Sequence, residues 1–139
     1  MEAIEPGTRL GQTSVMAGMA VRYLVRDVAE AVSFYVDWLG FQVVDQWGTA
    51  FARVKRGELI LWLSGPETSA ARPMPDGRTP EPGGWNRIVL DVEEFDEMVN
   101  ALREAGAKFR NQPISGPGGR QVLLEDPTGN PIELFEARS

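Results

Sequence analysis

The chain contains no histidine and no cysteine. Those two absences remove the commonest general base at neutral pH, the commonest metal ligand, and any thiolate site or disulfide. A serine–histidine nucleophile is excluded for the same reason. What remains for chemistry is carboxylates, guanidiniums and aromatic rings. Two carboxylates such as Asp91 and Glu133 could do acid–base work on a bound substrate; Asp91 serves equally well as a strand-end residue bonding to backbone. Gly116-Pro117-Gly118-Gly119 is like a phosphate loop only in its glycines, since neither Lys-Ser/Thr nor a helix follows. Glu93, Glu94, Asp96 and Glu97 read as a solvated helix start that suits the helix dipole. A formal net charge of −6 argues against a broad nucleic-acid footprint.

These residues need elements to position them. Val21-Arg22-Tyr23-Leu24-Val25 is β-branched and aromatic and predicts a strand. Asp27 sits where an N-cap belongs, with Glu30 three residues on as its capping-box partner. A helix follows to about Leu39, with Val28, Val32, Tyr35 and Leu39 on one face, and Gly40 ends it. Strands are expected over 41–47, 51–54 and 59–63, with a turn at Arg56-Gly57. Residues 65–84 are rich in Pro, Gly and Ser and form a surface loop. The order then repeats. A strand is expected over 85–92, then a helix over 93–105 with Phe95, Met98, Val99 and Leu102 as its apolar face. Strands over 107–111 and 120–125 follow, the tight turn Asp126-Pro127-Thr128-Gly129, and a last strand over 131–135.

The repeat is visible in residues. Leu39-Gly40-Phe41 answers Ala105-Gly106-Ala107, and Asp27-Val28 answers Glu94-Phe95 with a one-residue slip. Two copies are too few for a solenoid, which needs about three. At 139 residues the chain is expected to be one α+β domain. Two pseudo-symmetric halves closing one curved sheet account for the repeat; a plain α+β sandwich with accidental similarity is the alternative.

Val25-Arg26-Asp27-Val28, with Phe34-Tyr35 and Leu39-Gly40-Phe41, resembles the first-half signature of the glyoxalase, bleomycin-resistance and extradiol-dioxygenase superfamily, the vicinal oxygen chelate proteins. Glu125-Asp126-Pro127-Thr128-Gly129-Asn130-Pro131-Ile132-Glu133-Leu134 resembles its second-half signature. The resemblance covers about residues 19–136. It implies two βαβββ modules, over 19–64 and 85–136, joined by the 65–84 linker. Residues 1–18 would be a leader and 137–139 a tail, with Met16 or Met19 a candidate natural start. The sheet would curl into a cup, or half-barrel, with the helices outside. By strand alternation, Ala20, Arg22 and Leu24 would face the cup, as would Arg87, Val89 and Asp91, then Glu133 and Phe135.

The family's metal enzymes are similar in offering His, Gln or Glu from four strands. By motif those positions here are Ala20, about Leu61, Arg87 and Glu133. Only Glu133 could bind a cation, and Arg87 would repel one. No metal and no cofactor is therefore expected. Arg87 and Glu133 are expected to pair with each other, because a buried unpaired charge costs several kcal/mol. Such a pair could be a core stitch, part of ligand recognition, or both. Arg22 would join them or wait for an anionic ligand group. Trp47, Phe51, Trp62 and Trp85 lie on or beside the lining strands, where planar rings suit a flat ligand; each is otherwise an ordinary core or interface residue. Trp38 suits packing. Arg120 could reach the cup mouth or stay at the surface.

The expected ligand contacts are thus Arg22, Leu24, Trp47, Phe51, Trp62, Arg87, Asp91, Arg120, Glu133 and Phe135. No catalytic residue is assigned, with Glu133 as the one candidate. The expected function is binding of a small aromatic molecule, as in drug-sequestering members. The alternative is a lyase, isomerase or oxygenase of the same superfamily. A homodimer is expected, its cavity completed by the partner chain. No apolar run marks a secretion signal or a membrane span, so a cytoplasmic protein without membrane or nucleic-acid partners is expected.

Overall fold

A computed structural model of the chain describes residues 18–138. The expected leader up to residue 17, including the candidate start Met16, lies outside the described residues, as does Ser139.

The first half runs β1 (Val21–Leu24), α1 (Val28–Ser33), β2 (Gln42–Trp47), β3 (Phe51–Arg56) and β4 (Leu59–Ser64). Its strands lie in the order β1-β4-β3-β2. β1 and β4 are parallel and the other pairs antiparallel. Parallel neighbours need a long crossover, and α1 begins it. Asp27 Oδ1 accepts from the Glu30 N–H at 3.0 Å, the cap that the sequence predicts. The helix differs from expectation past Ser33, where the turns widen into a π-helix over Phe34–Trp38. That widening carries Tyr35 into the core, where it is fully buried. Gly40 then takes φ +75°, which a side chain would strain.

The second half runs β5 (Ile88–Asp91), α2 (Phe95–Ala105), β6 (Lys108–Phe109), β7 (Ile114–Gly116), β8 (Gly119–Glu125) and β9 (Pro131–Ala137). β5 pairs parallel with β9, and β8 pairs antiparallel with β9, β6 and β7. The strand expected over 107–111 is therefore only the two residues of β6, and β7 is a further short strand outside the expected range. Pro113 has no N–H to give the ladder. Instead the Asn111 side chain accepts from the Leu123 N–H at 2.9 Å and bridges the gap. The strand expected from Trp85 begins only at Ile88.

The α+β class and the two βαβββ halves are what the structure has. Backbone pairing divides the strands into two sheets, and among the described residues no strand of one half pairs with the other. Each helix covers one face of its own sheet. Under α1 lie Tyr23, Ala52, Val54, Leu61 and Leu63; under α2 lie Ile88, Leu90, Val122, Leu124, Ile132 and Leu134. Burying each aliphatic side chain of this size contributes roughly 1.5–3 kcal/mol. Among the described residues no helix packs on the opposite faces.

Side chains join the halves. The Tyr23 hydroxyl donates to Pro131 O at 2.8 Å and accepts from the Ile88 N–H at 2.9 Å. Tyr35 donates to Asp126 Oδ2 at 2.9 Å. The Asn130 amide donates to Leu24 O at 2.8 Å, and the Arg26 N–H to Thr128 Oγ1 at 3.1 Å. The loop after β4 is tied to the same seam, because the Gly83 N–H donates to Asn130 Oδ1 at 2.8 Å.

Candidate functional site

Strand register sets which side chains share the open face of the first sheet. One row crosses it as Arg22, Trp62, Arg53 and Asp45. The next crosses as Leu24, Ser64, Phe51 and Trp47. Three of the predicted aromatics thus form one string. Trp47 and Phe51 lie 5.3 Å apart between ring centroids, and Phe51 meets Trp62 edge-to-face at 5.6 Å. Trp47 remains 53% exposed, although burying such a ring is strongly favourable. Arg22 sits over Trp62 at 5.0 Å and Arg53 over Trp47 at 5.5 Å, within cation–π reach.

Arg53 and Asp45 are a fork-to-fork pair. Arg53 Nε donates to Asp45 Oδ1 at 2.7 Å and Nη2 donates to Oδ2. Those hydrogen bonds hold the Asp45 carboxyl below the ordinary carboxylate range and raise the Arg53 guanidinium. Sequence reasoning missed both residues. The signal was available: Arg53 is two residues from Phe51 and shares its face. A hollow of ≈ 500 Å³ opens here, bounded by Ala20, Arg22, Arg53, Ile60 and Trp62.

The open face of the second sheet is built differently. Val89 pairs with Glu133 and Asp91 with Phe135 in register, which puts all four on that face. Arg87 donates to Glu133 Oε1 from Nε at 3.0 Å and from Nη2 at 2.8 Å. Its Nη1 donates to Trp85 O at 3.2 Å. The expected Arg87–Glu133 pair is present, with Glu133 only 7% exposed. Arg22 does not join it; Arg22 Nη1 points instead to Ser64 Oγ at 3.4 Å. Arg22, Leu24 and Arg87 do share the wall of a hollow of ≈ 580 Å³ at the seam. Asp91 is exposed at the strand end.

Two expectations are corrected. Leu61 pairs with Val21, is fully buried and faces α1, so it is not a cup position. Its neighbours Ile60 and Trp62 face the opening, and neither can ligate. Arg120 belongs to the helix side of β8. Its Nη1 donates to Asp96 Oδ1 at 3.0 Å, its Nη2 to Glu136 Oε1 at 2.8 Å, and it lies 4.7 Å over Phe95. It clamps the start of α2 and is not aimed at a ligand. Trp85, 69% exposed, lies under Arg110 at 4.6 Å, beside the seam and off the aromatic string.

The donor set does not fit a metal. Ala20, Ile60 or Trp62, Arg87 and Glu133 supply one ligand and one cation where three or more ligands are needed. Among the described residues no group of three His, Cys, Asp or Glu could hold an ion. No helix among them is long and apolar enough to cross a membrane.

Two βαβββ halves, each with a helix-covered face and an open one, define a paired-module protein whose open faces are where a ligand can reach. Residues 17–134 match the model of the Glyoxalase/Bleomycin resistance protein/Dioxygenase superfamily, and the chain belongs to that superfamily. It is 30% identical over 125 residues to the uncharacterized protein YwkD of Bacillus subtilis (strain 168), covering 84% of this chain and 93% of YwkD. The crystal structure of TnmS3, an antibiotic binding protein from Streptomyces sp. CB03234, matches with TM-score 0.63 and 27% identity over 87% of this chain and 97% of that one. Lactoylglutathione lyase from Agrobacterium tumefaciens matches with TM-score 0.67 over 90% and 95%; at 23% identity it speaks for the fold alone.

Proposed function

We propose that this protein binds a small aromatic organic molecule against the open face of its first sheet, without a metal, and holds it without turnover. The observation that carries the reading is the string Trp47–Phe51–Trp62, flanked by Arg22, on a face that no helix of the described residues covers. Ring faces left half-exposed beside a hollow suit stacking with a flat guest. The likeness to a protein described as antibiotic binding supports the same reading.

Leu24, Arg87, Glu133 and Phe135 are proposed to contribute from the seam and the second sheet. A second copy of the chain closes the cavity in this reading, since one chain leaves Trp47 and Val89 more than half exposed. A cytoplasmic location goes with it.

Catalysis would ask Glu133 to act as base, yet Arg87 donates twice to that carboxylate. The test is tryptophan fluorescence against a panel of aromatic antibiotics, followed by analysis of the bound compound. Saturable quenching with the compound recovered intact is expected. Silence across the panel would overturn the binding reading, and recovery of a product would replace sequestration by catalysis.

A further inference from the structure

The guanidiniums of the open faces are not equivalent, and the difference bears on which aromatic molecules the proposed site accepts. Arg53 gives two donors to Asp45. Arg87 gives two to Glu133 and a third to a backbone carbonyl. Arg22 makes one long contact with a hydroxyl, at 3.4 Å. Among the described residues no carboxylate forms an ion pair with it. A guanidinium offers five N–H donors in a planar fork that matches a carboxylate. Most of that capacity is unused at Arg22, which stands at 5.0 Å over the Trp62 ring and at the edge of the ≈ 500 Å³ hollow.

The described carboxylates near Arg22 do not pair with it: the exposed Glu81 lines the same ≈ 580 Å³ hollow at the seam but forms no ion pair with Arg22. Asp45, the carboxylate in the same cross-strand row, is taken by Arg53. Lys55, two residues beyond Arg53 and so on the same face, is exposed and adds positive charge. In a chain of net charge −6, Arg22 and Lys55 thus put two cations without an ion-paired carboxylate, among the described residues, beside Trp62. Repulsion from the rest of the molecule would favour discarding an anion there unless a specific donor held it.

Resting on the binding reading above, we propose that the ligand is a planar aromatic acid. Its ring system lies against Trp62 and Ile60, and its anionic oxygens accept from the Arg22 fork. A hollow of this size takes a ring system of two or more fused rings with its acid group.

The test uses the full chain with 2-naphthoate and its neutral methyl ester, titrated by tryptophan fluorescence. The acid is expected to bind about tenfold more tightly than the ester, the worth of a charge-assisted hydrogen bond. Arg22→Gln is expected to remove that preference, so that acid and ester bind about equally, and Arg22→Lys to keep part of it. Raising the salt concentration should weaken the acid alone. Equal affinity for acid and ester, or a preference that survives Arg22→Gln, would overturn the inference and leave the binding reading standing. No quenching by either compound, beside saturable quenching by the antibiotic panel, would overturn the inference alone; silence across the panel as well would overturn both. Melting temperatures close to that of the unsubstituted chain are expected for both variants and serve as the check that each is folded.

Discussion

The seam between the halves and the open face of the first sheet use tyrosine, tryptophan and charge to opposite ends. At the seam, among the described residues, no buried side-chain polar atom lacks a hydrogen-bond partner. Asp126 Oδ1 accepts from the Thr128 and Asn130 N–H groups, both at 2.9 Å. Its Oδ2 accepts from Tyr35 at 2.9 Å and from the Asn130 amide at 3.0 Å. On the face, Trp47 is more than half exposed, Trp62 is half-buried, and Arg22 makes one long side-chain contact. A saturated, buried network specifies one arrangement of the chain. An unsaturated, exposed one awaits something else. The Asp126–Asn130 stretch, within the motif that resembles the family's second-half signature, therefore joins the two halves through Tyr35, Leu24 and Arg26.

That contrast can be broken from the seam first. Asp126→Ala strands the buried Tyr35 hydroxyl and two backbone N–H groups, and is expected to cost about 3–5 kcal/mol in chemical denaturation. A loss below about 1 kcal/mol would show that the seam is not what holds the halves.

Arg87→Ala leaves Glu133 buried without its partner. The pair is partly open to solvent, so about 2 kcal/mol is expected, read from the denaturation midpoint. No measurable loss would mean that the pair is not formed in solution.

Tyr35→Phe removes one bond of the network and should cost about 1 kcal/mol. It should also change the alkaline limb. Burial pushes the Tyr35 hydroxyl well above its ordinary value, with the Asp126 charge adding to it, and burial raises Tyr23 as well. The fold thus favours the protonated phenols. Their contribution is complete below about pH 10, the unfolded value, and is lost as pH rises through it toward the raised folded values. Melting temperature should fall above about pH 10, and less steeply in Tyr35→Phe.

On the face, Trp62→Ala is expected to abolish quenching by aromatic ligands while changing stability by less than Asp126→Ala does. The smallest effect expected is none at all: adding Ni²⁺, Zn²⁺, Fe²⁺ or Mn²⁺ should leave the melting temperature unchanged. A clear gain with one ion, lost in Glu133→Gln, would contradict the reading of the donor set.

Much of the fold was legible because local signals agreed with tertiary packing. Asp27 and Gly40 bound the first helix as their types require, and Phe95, Val99 and Leu102 fall under the second. Ile132 and Leu134 against Glu133 and Phe135 give a clean alternation, so the Arg87–Glu133 pair could be foreseen. Leu61 could not be placed because residues 59–63 are all apolar and carry no period-two signal. Arg120 was misplaced for a similar reason. Val122, Leu123 and Leu124 are consecutive apolar residues, so the side on which Arg120 emerges depends on register with β9. β7 was invisible because Pro113 and four nearby glycines or prolines hide a three-residue strand. The role of Tyr35 depends on a π-helical turn and on a partner 91 residues away, neither of which leaves a local mark.

The account rests on one surface, and the four tryptophans report on it separately. After treatment with a strong chelator, the indole N–H resonances would be followed by NMR as 2-naphthoate is added. Trp47 and Trp62 are expected to shift in a saturable way, while Trp38, packed beside Phe34 on the helix, stays in place. Shifts confined to Trp38, or shifts that begin only when a transition metal is restored, would contradict it.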